Sequence, residues 1–271
     1  MACASIRTVP CTGHTCIEME DLQGKVVLVT GASSGIGAAA ALAFAARGAR
    51  VAVHCHAHPQ HAQSVLEALR AAGGEGALFQ ADVCDTAQLA RLAVQVQQHF
   101  GRIDVLVNNA GSFVRKSLLV EASDELIDQV FHLNARSMIA LCRSVVPLMR
   151  RQGGGCIINL TSQAARSGGS LGAGLYASSK AYISTLTRAL AKELVVDGIR
   201  VNAVAPGVID TPIHDGHTSA ALMQQLCAGI PMGRLGRAEE CCGAMLFLAS
   251  EQLASYITGQ IIEVNGGSIM A

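Results

Sequence analysis

The sequence predicts an α/β fold in which a doubly wound parallel sheet of about seven strands carries helices on both faces of a single domain. Short, β-branched apolar runs recur along the chain, with helical patterns between most of them. These runs are continuously apolar rather than alternating, as in strands that are buried on both faces. Ligands of such sheets bind beyond the carboxyl ends of the strands, so we expect the functional residues directly after the apolar runs.

The first strand is predicted at Val26–Thr30, and a glycine turn and an alanine-rich helix up to Arg47 follow it. In Thr86–Phe100 apolar residues recur at steps of three and four, and Gly101 follows as a stop signal, which predicts an amphipathic helix packed on the sheet. The other strands are predicted at Arg50–Cys55, Ala77–Ala81, Asp104–Val107, Cys156–Thr161, Arg200–Ala205 and Gln260–Val264.

Charge and hydropathy exclude two classes of partner. The 271 residues include 20 Lys and Arg against 20 Asp and Glu, without a long basic run, so nucleic acid is not an expected partner. The uncharged segment Val26–Ala46 is long enough to cross a bilayer, but GASSGIG interrupts it, so we predict no membrane span. Charged residues make up only 15% of the chain, which favours burial in an oligomer.

The ten cysteines are scattered and form no CxxC pair, which favours free thiols in a reducing compartment and a cytoplasmic location. Residues 1–22 contain three of them and lack the apolar segment of a secretory signal. We therefore predict a flexible N-terminal extension at residues 1–22 and one domain at residues 23–271.

A glycine-rich turn, TGASSGIG at Thr30–Gly37, joins the first strand to the first helix. Its glycines let the backbone approach a pyrophosphate, and the helix N-terminus offers unpaired amides to anionic oxygens. The alternative is a tight turn without a ligand. The residues predicted to contact a cofactor here are Gly31, Ser33, Ser34, Gly35, Ile36 and Gly37.

Three further motifs follow in order: Asn108-Asn109-Ala110-Gly111, Tyr176-x-x-x-Lys180 and Pro206-Gly207. Together with the glycine turn, they make residues from about 22 to 271 resemble the short-chain dehydrogenase/reductase family. The resemblance implies a Rossmann-type fold, an NAD(P)-dependent oxidoreductase and a homotetramer. The tetramer would use the Tyr176 helix and the long helix before it at one interface, and Ile261–Ala271 near another.

Tyr176 and Lys180 lie four residues apart, so they share one helix face, where a nearby ammonium lowers the pKa of the phenol and makes it a usable proton donor. The resemblance implies that Tyr176 is the acid/base, that Lys180 tunes it and binds the nicotinamide ribose, and that Ser162 orients the substrate oxygen. Asn134 would hold the water of a proton relay. As alternatives, Thr161 supplies the hydroxyl, or Asn134 is a helix residue that bonds backbone.

The resemblance also implies the remaining cofactor contacts. Asp82 and Val83 would contact the adenine, although Asp82 is equally suited to cap a helix. Ile209 and Thr211 would hold the nicotinamide carboxamide. The full set of further contacts is Cys55, His56, Asp82, Val83, Asn108, Ala110, Gly111, Pro206, Gly207, Ile209 and Thr211, together with Tyr176 and Lys180.

The end of the second strand decides which nicotinamide cofactor binds. NAD-dependent enzymes place an acid there for the ribose 2′-hydroxyl, and here Cys55 stands at that position. Nothing would repel a 2′-phosphate, which His56 and Ser34 could bond, so NADP(H) is favoured and NAD(H) is the alternative. The neighbouring histidines lack a spaced partner pair, so we predict no metal site.

The resulting hypothesis is an NADP(H)-preferring reductase of a ketone or 3-oxoacyl group, most similar to the 3-oxoacyl-carrier-protein reductase and sugar dehydrogenase branches. Its small-molecule substrate would enter under a lid at Pro212–Arg234, where His214, Asp215 and His217 are candidates to line the pocket. One alternative is an NAD-dependent sugar, polyol or steroid alcohol dehydrogenase. Another is a cofactor-sensing scaffold without catalysis.

Overall fold

The computed structural model of the protein describes residues 20–270, and its centre is a parallel sheet of seven strands. The order is β3-β2-β1-β4-β5-β6-β7, which confirms the doubly wound fold. The strands are β1 (Val26–Val29), β2 (Arg50–Cys55), β3 (Glu75–Gln80), β4 (Val105–Asn108), β5 (Gly155–Leu160), β6 (Ile199–Pro206) and β7 (Ile261–Val264).

β2 has the predicted bounds, and the other strands differ from the predicted ones by one or two residues. The largest difference is at β3, which begins at Glu75 instead of Ala77. This strand lies at the edge of the sheet and is only partly buried, so no apolar run marks where it begins. The central strands β1 and β4 are wholly buried, and their apolar runs locate them well.

Helices cover both faces of the sheet. The predicted helix Thr86–Phe100 is present with those bounds, because the Asp85 carboxylate accepts hydrogen bonds from two amides of its first turn and Gly101 ends it in the left-handed conformation. The α-helices are α1 (Gly35–Ala45), α2 (Pro59–Ala71), α3 (Thr86–Phe100), α4 (Asp124–Phe131), α5 (Ser137–Arg151), α6 (Ala164–Ser167), α7 (Gly174–Leu194), α8 (Ala220–Ala228), α9 (Cys242–Ala249) and α10 (Glu251–Ala254).

Two apolar cores lie on the two faces of the sheet. On one face α1 and α9 bury Phe44 and Met245 against the strands. On the other face α3, α5 and α7 bury Leu92, Met149 and Ile183. The two cores fix the sheet between them and place the ends of β1, β4, β5 and β6 at one edge.

Glu20–Leu22, which the sequence assigned to the extension, form a 3₁₀ turn that belongs to the packed domain. Leu22 is buried, and the Asp21 carboxylate accepts hydrogen bonds from the Ser250 hydroxyl and the Glu251 amide. The predicted flexible segment otherwise lies outside the described residues.

The seven cysteines at positions 55 to 242 are all free thiols. Cys3, Cys11 and Cys16 lie outside the part of the chain that the structure describes. Within residues 20–270 no helix combines the length and the apolar character that a bilayer crossing requires.

Candidate active site

A cleft of about 710 Å³ lies beyond the carboxyl ends of β1, β4, β5 and β6. Most of the residues predicted for the site meet there. Those that line it are Gly31, Ser33, Ser34, Gly35, Ile36, His56, Ala110, Gly111, Ser162, Tyr176, Lys180, Pro206, Gly207, Ile209 and Thr211. The predicted residues that do not line it are Gly37, Cys55, Asp82, Val83, Asn108 and Asn134.

The glycine turn between β1 and α1 forms one end of the cleft. Gly31 and Gly35 have φ angles of +62° and +53°, which residues with a Cβ rarely adopt. A Cβ at Gly37 would overlap the carbonyl oxygen of Gly31. Gly37 therefore permits the close approach of the helix to the turn instead of lining the cleft.

Asn109 and Thr30 hold this turn against the end of β4. The Asn109 side-chain amide donates to the carbonyl oxygens of Thr30 at 2.8 Å and of Gly31 at 3.1 Å. In return, the Thr30 hydroxyl accepts from the backbone amides of Asn109 and Ala110. Asn109 lines the cleft but was not among the predicted contacts. Its position in the Asn108-Asn109-Ala110-Gly111 motif is the sequence feature that indicates it.

His54 fixes the same turn from the other side, which the sequence did not indicate. It is 1% exposed, and its Nδ1 lies 3.2 Å from the Gly31 amide, while its Nε2 lies 3.0 Å from the Ala81 carbonyl oxygen. Because an amide only donates and a carbonyl only accepts, the ring is the neutral tautomer with its proton on Nε2. Burial lowers the pKa of His54 to about 4, which keeps it neutral near pH 7.

Tyr176, Lys180 and Ser162 meet at the centre of the cleft. Tyr176 and Lys180 lie on α7, both buried, with the Lys180 Nζ 5.6 Å from the Tyr176 ring centroid. The Nζ donates a 2.8 Å hydrogen bond to the Leu160 carbonyl oxygen at the end of β5. Ser162 follows β5, and its hydroxyl acts on the Tyr176 phenol to lower the pKa of that group.

Thr161, the alternative hydroxyl, is turned towards the helix. Its Oγ1 donates to the Lys180 carbonyl oxygen at 2.8 Å and lies 2.7 Å from the Ser184 hydroxyl. Tyr182 lies on the outer side of α7, where its ring contacts that of Phe131. Ser162 and Tyr176 are therefore the hydroxyl pair that faces the cleft.

The expected lowering of the Tyr176 pKa is not found. Burial raises the pKa of Tyr176 to about 12, and the hydrogen bond from Ser162 opposes this only in part. Burial also lowers the pKa of Lys180 to about 8. The sequence placed the ammonium on the correct helix face but could not show how completely the phenol is withdrawn from water.

Asn134 lies behind the cleft in a π-helical turn, His132–Arg136. Its amide nitrogen donates to the carbonyl oxygens of Ser112 and Val130, both at 2.9 Å, and its Oδ1 accepts from the Ser112 amide at 3.1 Å. The side chain therefore bonds backbone, as the alternative proposed. A cavity of about 10 Å³, the size of one water molecule, lies between Asn134 and Lys180.

Asn108 belongs to a buried polar chain. Its side-chain amide donates to the Asn159 Oδ1 at 2.9 Å, and the Asn159 amide donates to the Thr187 hydroxyl at 3.0 Å. This chain joins β4, β5 and α7 below the site. The Cys55 side chain also packs in the core, where burial raises the pKa of its thiol.

The adenosine end of the cleft is lined by Ser34, His56 and His58. Among the described residues that line the cleft, Lys180 is the only lysine or arginine, and no aspartate or glutamate is present. Asp82 does not line the cleft. One of its carboxylate oxygens lies 3.8 Å from the His56 Nε2, and the carboxylate accepts from the Cys84 amide rather than capping a helix. No carboxylate is therefore placed to bond a ribose 2′-hydroxyl inside the cleft.

The substrate end of the cleft contains an aromatic residue that the sequence did not single out. The Phe113 ring, which is nearly buried, lies 4.5 Å from the Tyr176 ring between centroids. From the lid, the rings of His214 and His217 approach Phe113 at 6.2 Å and 5.9 Å. Among residues 20–270 no three His, Cys, Asp or Glu side chains are grouped as a metal site would require.

Three comparisons agree with this geometry. The sequence model of the enoyl-(acyl carrier protein) reductase family matches residues 31–268. The 3-oxoacyl-[acyl-carrier-protein] reductase of Thermotoga maritima is 40% identical over 249 residues, which cover 92% of this chain and 99% of that protein.

Two solved structures are similar over nearly their whole length. The NADH-dependent reductase A1-R', responsible for alginate metabolism, is 40% identical with a TM-score of 0.85, over 93% of this chain and 100% of that one. A short-chain type dehydrogenase/reductase from Mycobacterium marinum is 33% identical with a TM-score of 0.86, over 94% and 99%. The protein therefore belongs to the short-chain dehydrogenase/reductase family and is an NAD(P)-dependent oxidoreductase.

Proposed function

We propose that this protein is an NADP(H)-preferring reductase of a ketone or 3-oxoacyl group, with Tyr176 as the proton donor. The observation that carries the proposal is the meeting of Ser162, Tyr176 and Lys180 in the cleft that the glycine turn opens into. The relatives named as 3-oxoacyl reductases support this choice of substrate class.

The described residues fit a dinucleotide. The glycine turn presents backbone without side chains at the N-terminus of α1, where amides and the helix dipole favour a pyrophosphate. A Cβ at Gly111 would lie 3.2 Å from the Lys180 Nζ, so glycine at this position leaves the ammonium accessible beside the proposed nicotinamide ribose. When bound, the cofactor supplies the hydride for the carbonyl carbon.

Tyr176 donates a proton to the carbonyl oxygen as that oxygen gains negative charge. With a pKa of about 12, the phenol is fully protonated near pH 7, which suits the direction of reduction. The Ser162 hydroxyl bonds the same carbonyl oxygen and orients it. Lys180, with a pKa of about 8, is mostly an ammonium near neutral pH and stabilises the phenolate that forms.

Proton return to Tyr176 would run through Lys180 and a water in the small cavity beside Asn134. The cavity has room for about one water, and both residues line it. The Asn134 side chain is occupied by backbone groups, so its part in this relay is to hold the π-helical turn and the backbone that faces the cavity. Asn134 is thus proposed as a positioning residue of the relay.

The preference for NADP(H) rests on the adenosine end of the cleft. Ser34, His56 and His58 offer hydrogen bonds to a 2′-phosphate, and no described carboxylate lines the cleft to repel it. NAD(H) is the second candidate, because the similar reductase A1-R' is NADH-dependent. Fluorescence titration of the full chain with NADPH and NADH decides between them. Tighter binding of NADPH that His56→Ala weakens selectively supports the proposal, and tighter binding of NADH contradicts it.

The reductase activity is tested by following the absorbance of the dihydronicotinamide in the presence of a 3-oxoacyl thioester, simple ketones, and sugar or steroid ketones. Turnover of the first two classes supports the proposal. Turnover restricted to sugars or steroids favours the alcohol dehydrogenase alternative. Cofactor binding without turnover of any carbonyl would favour the sensing scaffold.

We also propose a homotetramer in the cytoplasm. Apolar side chains on α4 and α7 are exposed in the single chain, among them Ile127, Phe131 and Tyr182. β7 lies at the edge of the sheet, and within residues 20–270 no strand pairs with its outer side. Free thiols at the described cysteines agree with a reducing compartment. Light scattering on the purified chain should give four times the 28.0 kDa chain mass, and a monomeric mass would refute the assembly.

A further inference from the structure

A lysine lies beside Phe113 at the substrate end of the cleft, and no described carboxylate is its partner. Lys116 follows β4 in the loop that carries Phe113, and its Nζ lies 5.0 Å from the centroid of the Phe113 ring. The same Nζ donates a 3.1 Å hydrogen bond to the Thr218 hydroxyl in the lid. Lys116 is not itself one of the residues that line the cleft, but it connects Phe113, which does line it, to the lid.

Its charge is poorly compensated. Within residues 20–270 no carboxylate lies within 4 Å of the Lys116 Nζ, although the side chain is half-buried. Burial lowers the pKa of Lys116 for this reason. A surface lysine that only covers an apolar wall would keep its ammonium in water, whereas this ammonium has one neutral hydroxyl and one aromatic ring as partners.

A lid histidine adds a further polar group to the same region. The His214 Nδ1 lies 3.2 Å from the Thr218 hydroxyl that Lys116 contacts. Burial and the Lys116 charge lower the pKa of His214, and the carboxylates of Asp210 and Asp215, which are both exposed, oppose this. The charged groups near this end of the cleft are thus the Lys116 ammonium beside Phe113 and these two exposed carboxylates beside His214.

The Lys116 ammonium is close to the reacting position. The Phe113 ring contacts Lys116 on one side and Tyr176 on another, so the ammonium lies no more than about 9.5 Å from the Tyr176 ring. A substrate whose carbonyl oxygen bonds Tyr176 would need only a few carbon atoms to bring a second group to Lys116. Phe113, between the two, would cover the apolar part of such a molecule.

We propose that Lys116 binds a carboxylate of the substrate, so that the preferred substrates are ketones with a carboxylate a few carbon atoms from the carbonyl. This inference rests on the proposed reductase function and narrows its substrate class. An ammonium to carboxylate contact in a half-buried site replaces the lost water and adds a charge-assisted hydrogen bond. Such a contact typically changes binding by between about tenfold and a hundredfold.

The test compares three keto acids, 3-oxobutanoate, 4-oxopentanoate and 5-oxohexanoate, with their methyl esters, which keep the carbonyl and remove the charge. The full-length protein is assayed as wild type, Lys116→Met and Lys116→Arg. Lys192→Met, which removes an exposed lysine from α7, is the matched control. The quantity compared is the ratio of kcat/KM for each acid to kcat/KM for its methyl ester.

We expect the ratio to exceed ten for at least one chain length in the wild type and in Lys192→Met. Lys116→Met should lower this ratio at least tenfold by raising KM for the acid, and it should leave kcat/KM for the ester unchanged. Lys116→Arg, which keeps the positive charge, should retain part of the preference for the acid. Turnover of the esters with no preference for any acid, or an acid preference that Lys116→Met keeps, would overturn the inference and leave the reductase function intact. Turnover of 3-oxoacyl thioesters alone would also overturn the inference, and turnover of none of these carbonyl compounds with either cofactor would overturn both.

Discussion

Gly111 offers a test of the catalytic geometry, because the substitution Gly111→Ala adds one methyl group at the back of the cleft. The new Cβ would lie 2.6 Å from the Asn134 Oδ1 and 3.2 Å from the Lys180 Nζ. Real Cβ atoms essentially never approach closer than 3.0 Å, so Asn134 must move by at least about 0.4 Å. Three hydrogen bonds to Ser112 and Val130 hold Asn134 in place.

The expected losses of stability and of turnover follow from these contacts. Overpacking of this kind lowers the free energy of unfolding by about 1–3 kcal/mol. Displacement of Asn134 and Lys180 by a fraction of an ångström should lower kcat by about tenfold to a hundredfold. Urea unfolding measures the first effect and steady-state turnover the second.

Gly243→Ala is the matched control, since an added Cβ there meets nothing within 4 Å and the residue lies in α9 with an ordinary φ. Alanine in a helix should leave the protein unchanged or more stable by up to about 1 kcal/mol, with full activity. If Gly111→Ala behaves like this control in both measurements, the proposed packing of Asn134 and Lys180 around Gly111 is wrong.

Two further outcomes follow from buried ionisable groups. Because His54 has a folded pKa of about 4 against an ordinary 6.5, the unfolded chain binds the extra proton first, and stability should fall by about 3 kcal/mol as the pH drops from 6.5 to 4. His54→Asn keeps an acceptor for the Gly31 amide, so it should retain cofactor affinity and should not lose stability between pH 6.5 and 4 in urea unfolding. His54→Gln should bind the cofactor more weakly. An equal loss of stability at low pH in the wild type and in His54→Asn would contradict the assignment. The Lys180 ammonium, with a pKa of about 8, loses its proton as the pH rises, so kcat/KM for reduction should fall above about pH 8, and a profile that stays flat to pH 9.5 would count against its role.

The sheet could be predicted because its central strands are continuously apolar and its helices carry local signals. Asp85 and Gly101 mark the ends of α3 in the sequence itself. The start of β3 could not be located, since an edge strand with a partly exposed face has no apolar run. The apolar residues that indicate a strand also indicate how deeply it is buried.

The catalytic residues could be proposed because Tyr176 and Lys180 share a helix face, which spacing alone establishes. Their pKa values depend on burial, which sequence does not contain, and the prediction for Tyr176 had the wrong direction. His54 carries a signal in the sequence, because a histidine inside a buried strand needs a partner at each ring nitrogen. Lys116 and Phe113 gave none, because their contacts join loops that lie far apart in the chain.

The most direct test of the account compares the turnover of Tyr176→Phe with that of Tyr182→Phe. Both are measured with the preferred cofactor and a ketone that the wild type reduces. The two variants remove one hydroxyl each from the same helix, one in the cleft and one on its outer side. We predict that Tyr176→Phe binds the cofactor with unchanged Kd and loses at least about a hundredfold in kcat, while Tyr182→Phe keeps both. Retained turnover in Tyr176→Phe would contradict the claim that this phenol is the proton donor.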